Sequence, residues 1–179
     1  MKSHILFWPI FITGFALDLW TKAAVFNWLV NLHQDGVTII DGFLRLQLAE
    51  NPGAAFGMAA GQRWLLVAVS AVALVVVLAV FLFGGSDRGS TSSPPRARSR
   101  GKTVHVALAL FAAGVSGNLY DRLFNNGLVR DFIDVVYWQG RHWPAFNVAD
   151  SLLCIAVAIF ILSTLFTRQS CQKRAQPQR

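Results

Sequence analysis

Cysteine is scarce in this chain, with two residues in 179, and Cys154 and Cys171 fall in a span and in a tail where they are poorly placed to meet. A disulfide framework and a thiolate metal site are therefore not implied. Histidine is nearly as thin. His4, His33, His105 and His142 are scattered and no His-Glu-x-x-His occurs, which argues against zinc proteolysis. Charge is low as well, at 14% of residues against 54% hydrophobic, a balance that a soluble domain of this length does not ordinarily carry. No internal repeat is visible.

What is abundant is apolar length. A spanning helix needs roughly 20 apolar residues, and Trp64 to Phe83 supplies them with Ser70 as its one clearly polar side chain. Three further stretches are long enough but carry polar residues. The expected spans are 5–25, 64–83, 103–122 and 146–167, in a single integral membrane domain covering 1–179. The first is kept as a permanent helix, because Asp18 and Lys22 interrupt its far end and no convincing small-residue cleavage site follows.

Cations set the orientation. Lys2, five residues between spans two and three, and four after span four put ten cations on one side, assigned to the cytoplasm, where both termini lie. Eight of the nine acids and five of the six tryptophans fall on the other side. The net charge of +7 is therefore topological and gives no case for nucleic acid. The stretch 84–102 is expected to be a cytoplasmic linker and 168–179 a cytoplasmic tail, both too poor in apolar residues to order themselves.

On the outward face, Leu44, Leu46 and Leu48 alternate with Arg45, Gln47 and Ala49, which is strand periodicity. Asp41-Gly42 and Asn126-Gly127 are turn signals, and Val129 to Trp138 is rich in β-formers. The expected fold class is an all-α membrane protein of four transmembrane helices, with a small β-containing platform on the outward (periplasmic) face.

Ionisable groups at membrane depth are costly and call for a purpose. Asp18, Thr21 and Lys22 share one face at the outward end of span one. Asn118, Asp121 and Arg122 repeat that spacing at the outward end of span three, and Asn147, Asp150 and Ser151 do so at the start of span four. Charge pairing accounts for part of this: Asp18 with Lys22, and Asp121 with Arg122 or a neighbouring helix. Asn147 suits an N-cap with Asp150 at the third helical position. Asp131 has no such account, lying in an apolar run with Arg130 as its nearest cation.

Taken in order, five blocks resemble the bacterial lipoprotein signal peptidases, the signal peptidase II or prolipoprotein signal peptidase family. They are Asp18-x-x-Thr21-Lys22, Asn51-Pro52-Gly53-Ala54-Ala55-Phe56-Gly57, Gly117-Asn118-x-x-Asp121-Arg122, Val129-x-Asp131-Phe132 and Phe146-Asn147-x-Ala149-Asp150-Ser151. The resemblance implies an aspartic endopeptidase of the bacterial inner membrane that cleaves diacylglyceryl-modified preprolipoproteins before the lipidated cysteine. It implies Asp131 and Asp150 as the catalytic pair, with Asn51, Gly53, Asn118, Arg122 and Asn147 organising site and substrate. Asp18, Lys22 and Asp121 become supporting residues. No cofactor or metal is implied, the partners are precursor and membrane phospholipid, and a monomer is expected. Pro52 and Arg130 depart from the usual pattern, as does the long linker.

Two rivals are weaker. Gly114-Val115-Ser116-Gly117 imitates a rhomboid serine-protease block, but no histidine follows on span four, and the Gly-x-Gly-Asp of presenilin-like proteases is missing. A small transporter or ion-binding protein would need polar groups through the full bilayer depth, and span two carries no charged side chain.

Overall fold

The computed structural model describes residues 2–54, 58–84, 95–138 and 140–175. Four helices, α1 (Lys2–Asn31), α2 (Arg63–Phe83), α3 (Pro95–Phe124) and α4 (Val148–Ala175), each contain a stretch long and apolar enough to cross a membrane. Between them run β1 (Gly36–Ile40), β2 (Leu44–Asn51), β3 (Val129–Trp138) and β4 (Arg141–His142), an antiparallel sheet in the order β1-β2-β3-β4. The residues Ala55, Phe56 and Gly57 of the second block, and 85–94 of the expected linker, lie outside the described residues.

The helix ends differ from the sequence expectation in ways that residue chemistry explains. Helix α1 continues six residues past Val25, because Phe26, Trp28 and Leu29 keep an apolar face while the sheet covers part of that end. Helix α3 starts inside the expected linker, at Pro95, whose fixed φ and missing N–H suit a first helical position. Helix α4 begins at Val148 rather than 146, since Asn147 caps it and Phe146 is instead paired with Ile133 of β3. It runs on to Ala175, into the stretch expected as a tail.

Helix α3 is the centre of the bundle. In its apolar stretch 56% of residues are buried, against no more than 17% in the other three, whose exposed faces of Val, Leu and Ile are suited to lipid. At the end away from the sheet, Phe7 of α1 stacks on Phe81 of α2 at 3.9 Å, over Leu108, Ala109 and Ala112 of α3. Small residues on α3 let its neighbours approach closely. Gly117 is the sharpest case. A Cβ there would run into the Asp18 carboxylate of α1 and stand 3.1 Å from Cβ of Ala149 on α4.

The turn from α3 into β3 is equally specific. Leu128 N donates to Asn125 O at 2.8 Å across Asn126 and Gly127, both at positive φ (52° and 90°), as a type I′ turn requires. Strand β3 then pairs with β2, placing Ala49 opposite Asp131 and Asn51 opposite Val129. Asn51 and Asp131 are thereby diagonal neighbours on one face. Past β4, Phe146 bonds back to Ile133 in both directions, at 2.9 and 3.1 Å, and sets Asn147 beside β3.

Gly117→Ala is expected to lower the thermal unfolding midpoint of the detergent-solubilised protein, with a destabilisation of about 1–3 kcal/mol from overpacking. An unchanged midpoint would show that α1 and α3 are not locked at this point.

Candidate active site

The polar clusters read from the sequence on α1, α3 and α4 gather at the sheet end of the bundle. Helix α1 contributes Asp18 and Lys22, both with no solvent exposure, and α3 contributes Asn118, Asp121 and Arg122, all buried. Strand β3 adds Asp131 at 2% exposure, and the start of α4 adds buried Asn147 and half-buried Asp150.

The charges form an alternating chain. Lys22 Nζ lies 2.8 Å from Asp18 Oδ2 and 3.2 Å from Asp121 Oδ2, and Asp121 Oδ1 meets Arg130 Nη2 at 2.6 Å. Asp121 also accepts from Arg130 Nε at 3.1 Å and from its backbone N–H at 3.0 Å. Of the two partners expected for Asp121, Arg122 or a neighbouring helix, the second is found, in Lys22 of α1, and Arg122 is not a partner. Arg122 instead donates to backbone carbonyls, of Gly53 at 2.9 Å and Asn118 at 3.3 Å, because its side chain turns toward the loop after β2 while Arg130 reaches α3 from the strand.

Asp18 completes a helix terminus as well as an ion pair. Its Oδ1 accepts from Ala149 N at 2.8 Å, one of the free donors at the start of α4. The remaining donors close a reciprocal capping box. Asp150 N donates to Asn147 Oδ1 at 3.0 Å, and Asn147 N donates to Asp150 Oδ2 at 3.2 Å. The cap read from sequence is therefore present, and Asp150 has a second partner in Asn118 Nδ2, which donates to its Oδ1 at 2.7 Å.

Asp131 is held by two amides. Asn147 Nδ2 donates to its Oδ1 at 2.6 Å and Asn51 Nδ2 to its Oδ2 at 3.0 Å. Asn51 Oδ1 accepts from Gly53 N at 2.9 Å, an Asx-type turn that fixes the backbone at Gly53. Burial and the neighbouring Asp150 carboxylate push Asp131 up to about 6, against the two amide donors and the Lys22 charge. An acid held there exchanges its proton near neutral pH, which is what proton transfer to a reacting group requires.

Two features escaped the sequence reading. One is the Arg130 clamp, which α3 and β3 create only once folded together. The other is His142, read as bland, whose Nδ1 lies 2.8 Å from Asp134 Oδ1 and ties β4 to β3. Among the described residues no group of three or more His, Cys, Asp or Glu could hold a metal ion.

A four-span bundle with polar groups gathered at one end and two carboxylates facing a common amide network defines a membrane-embedded enzyme. The chain belongs to the signal peptidase II family, a family of proteases, and the model described as Signal peptidase (SPase) II matches residues 10–166. It is 36% identical to the lipoprotein signal peptidase of Rhodopirellula baltica over 92% of this chain and 73% of that one. Against the same enzyme of Sulfurihydrogenibium sp. the identity is 36%, over 94% and 96%. For Neisseria gonorrhoeae it is 31%, over 97% of each. Two bacterial membrane enzyme structures solved by the in meso method share the fold. One has a TM-score of 0.71 at 25% identity, covering 99% of this chain and 94% of the other. The second has 0.65 at 26%, covering 92% of each.

Removing the Arg130 cation takes both of its side-chain donors from Asp121 and leaves the Lys22 ion pair, so Arg130→Met is expected to cost about 1–3 kcal/mol, the scale of lost hydrogen bonds to a charged group. Adding Asp121→Asn should restore part of it. Additive losses in a double-mutant cycle of unfolding free energies would show that the clamp is not an energetic unit.

Proposed function

We propose that this protein removes the signal peptide from lipoprotein precursors, with Asp131 and Asp150 as an aspartyl dyad that activates water. The observation that carries the reading is the shared network of the two acids: Asn147 bonds both, by its side chain to Asp131 and its backbone to Asp150. Two interacting carboxylates in a low-dielectric site titrate as a pair and hold one proton between them.

Roles follow from the surroundings. Asp131, nearly sealed from solvent and raised to about 6, keeps the proton. Asp150, half-buried at the start of a helix and facing Asn118 and Asn147 donors, holds the charge. Asp150 takes a proton from water as the water oxygen bonds to the scissile carbonyl carbon. Asp131 donates a hydrogen bond to the carbonyl oxygen as it gains charge, and any proton it passes there returns to it as the carbonyl re-forms. When the C–N bond breaks, the proton on Asp150 passes to the departing amine, and no covalent intermediate forms. The rival transporter reading has no comparable observation.

The substrate reading extends to the lipid. With the basic loops cytoplasmic, the sheet end faces outward, and exposed Trp20, Trp28, Trp64, Trp138 and Trp143 suit the headgroup layer there. Helices α2 and α4 both pack on α3 without a substantial interface of their own among the described residues. A signal helix lying between them would bring its C-terminal end to the dyad, with the acyl chains of a diacylglyceryl cysteine left in the bilayer. Loop 51–54, clipped by Asn51 and held by Arg122 on Gly53, would line the substrate's approach. The protein is read as a monomer in the inner membrane with no metal requirement, so chelators should leave its activity unchanged.

Asp131→Asn and Asp150→Asn are each expected to abolish processing of a lipidated precursor in membranes. Full processing by either would reject the dyad.

The pH dependence has a definite sign. The raised Asp131 carboxyl loses its proton as pH rises through about 6, and the one-proton state is the active one, so kcat/KM should fall on the alkaline side of that value. In Asp150→Asn the like charge is gone, and the Asp131 titration, followed by infrared spectroscopy, should move to lower pH. A midpoint that stays put would mean that the two acids do not interact.

A further inference from the structure

We propose that Lys22 is a positioning residue for the reaction, its ammonium fixing which end of the Asn118 amide meets Asp150. The proposal rests on the dyad reading above and extends it to a group with no path to the substrate.

An ammonium can only donate. Lys22 Nζ stands 3.2 Å from Asn118 Oδ1, and Asn147 Nδ2 donates to that same oxygen at 3.1 Å. Two donors converging on one end of the amide commit it as the acceptor end. The other end, Nδ2, is then the one aimed at Asp150 Oδ1, 2.7 Å away. Turned about, Asn118 would set an oxygen against a carboxylate and an NH2 against two donors.

The ordering propagates. Asn147 Nδ2 spans Asn118 Oδ1 and Asp131 Oδ1, so the oxygen that Lys22 pins is also the one that keeps the Asn147 amide pointed at Asp131. One cation thus orders two amides, and each amide holds one of the two acids. Charge neutralisation accounts for Lys22 beside Asp18 and Asp121, but not for its third contact. Asp121 already has Arg130 at 2.6 Å, and Asp18 already has the Ala149 N–H at 2.8 Å. The contact to Asn118 is the one that the ion pairs leave unexplained, and it is the one that leads to the two acids.

The test uses the purified full chain in lipid with a diacylglyceryl-modified precursor peptide, measuring kcat and KM. The double variant Lys22→Met with Asp18→Asn removes the cation without stranding a carboxylate, since Asp121 keeps Arg130 and the asparagine oxygen still accepts from Ala149 N. Expected is a fall in kcat of about 10- to 100-fold, the scale of a lost hydrogen bond to a charged group, with KM within about twofold. Asn118→Leu should lose as much, and adding it to the double variant should cost nothing more, because both act through one amide.

Losses that multiply would assign Lys22 a purely structural role, and a kcat near that of the parent would overturn the proposal outright. Asn118→Asp covers a double variant that fails to fold. It keeps Lys22 paired while denying Asp150 its donor, so it should lose kcat in the same range, and retained kcat would equally overturn the proposal. Asp131→Asn and Asp150→Asn, run alongside, separate the two readings. Activity in either sinks the dyad and the relay with it, whereas inactivity in both beside an active double variant sinks the relay alone.

Discussion

The ion pair between Lys22 and Asp18, with Asp121 on its far side, is the interaction on which the rest of the site depends. Fully buried charges are tolerated only when paired and hydrogen-bonded. Here the solution is a chain of alternating sign, Asp18, Lys22, Asp121 and Arg130, whose formal charges cancel. Each link joins a different pair of elements or holds a helix face. The cost of burial is thereby turned into geometry, because moving Lys22 leaves Asp18, and moving Asp121 leaves Arg130, without a counter-charge in contact. Gly117 belongs to the same constraint, since only a residue without a side chain leaves room for the Asp18 carboxylate between α1, α3 and α4.

From this chain the two candidate catalytic acids are reached by different routes. Asp131 is placed by the strand, its neighbour Arg130 fastened to α3 through three bonds to Asp121. Asp150 is placed by the helix start, where Asn147 caps α4 and Asp18 takes the adjacent N–H. Sheet and bundle are thus registered against each other beside the point where chemistry is proposed. A site assembled from a strand and a helix terminus is held more rigidly than one carried on loops.

Much of this was legible in the sequence because lipid makes polarity conspicuous. The i, i+3, i+4 spacing of Asp18, Thr21 and Lys22, repeated around Asn118 and Asn147, showed three polar faces at one depth. The four apolar helices and the strand at Val129 to Trp138 followed from length and periodicity. Partner choice was not legible. Asp121 and Arg122 are adjacent in sequence, yet Arg122 turns to Gly53, and beside Lys22 of the neighbouring helix the partner is Arg130, nine residues away across the Asn126-Gly127 turn. Adjacent helical residues point in different directions, so proximity along the chain is a poor guide to pairing. The link between His142 and Asp134 was hidden for the related reason that strand pairing sets it.

Two chemically identical side chains take unequal roles when their surroundings push them apart. Asp131 sits at 2% exposure on the inner side of a strand, with amide donors but no direct cation, and a like charge nearby. Asp150 is partly open to solvent, lies where helix N–H groups gather, and has the Arg122 charge close by. The difference does not come from either residue's own sequence neighbours, since Arg130 beside Asp131 is spent on Asp121. It comes from which element carries each acid: a strand presses its side chain into the bundle, and a helix start offers its side chain free donors at the surface. Under the proposed dyad, the same division would put the ionised acid on the more open side and the protonated one against the apolar interior, where an uncharged carboxyl costs least.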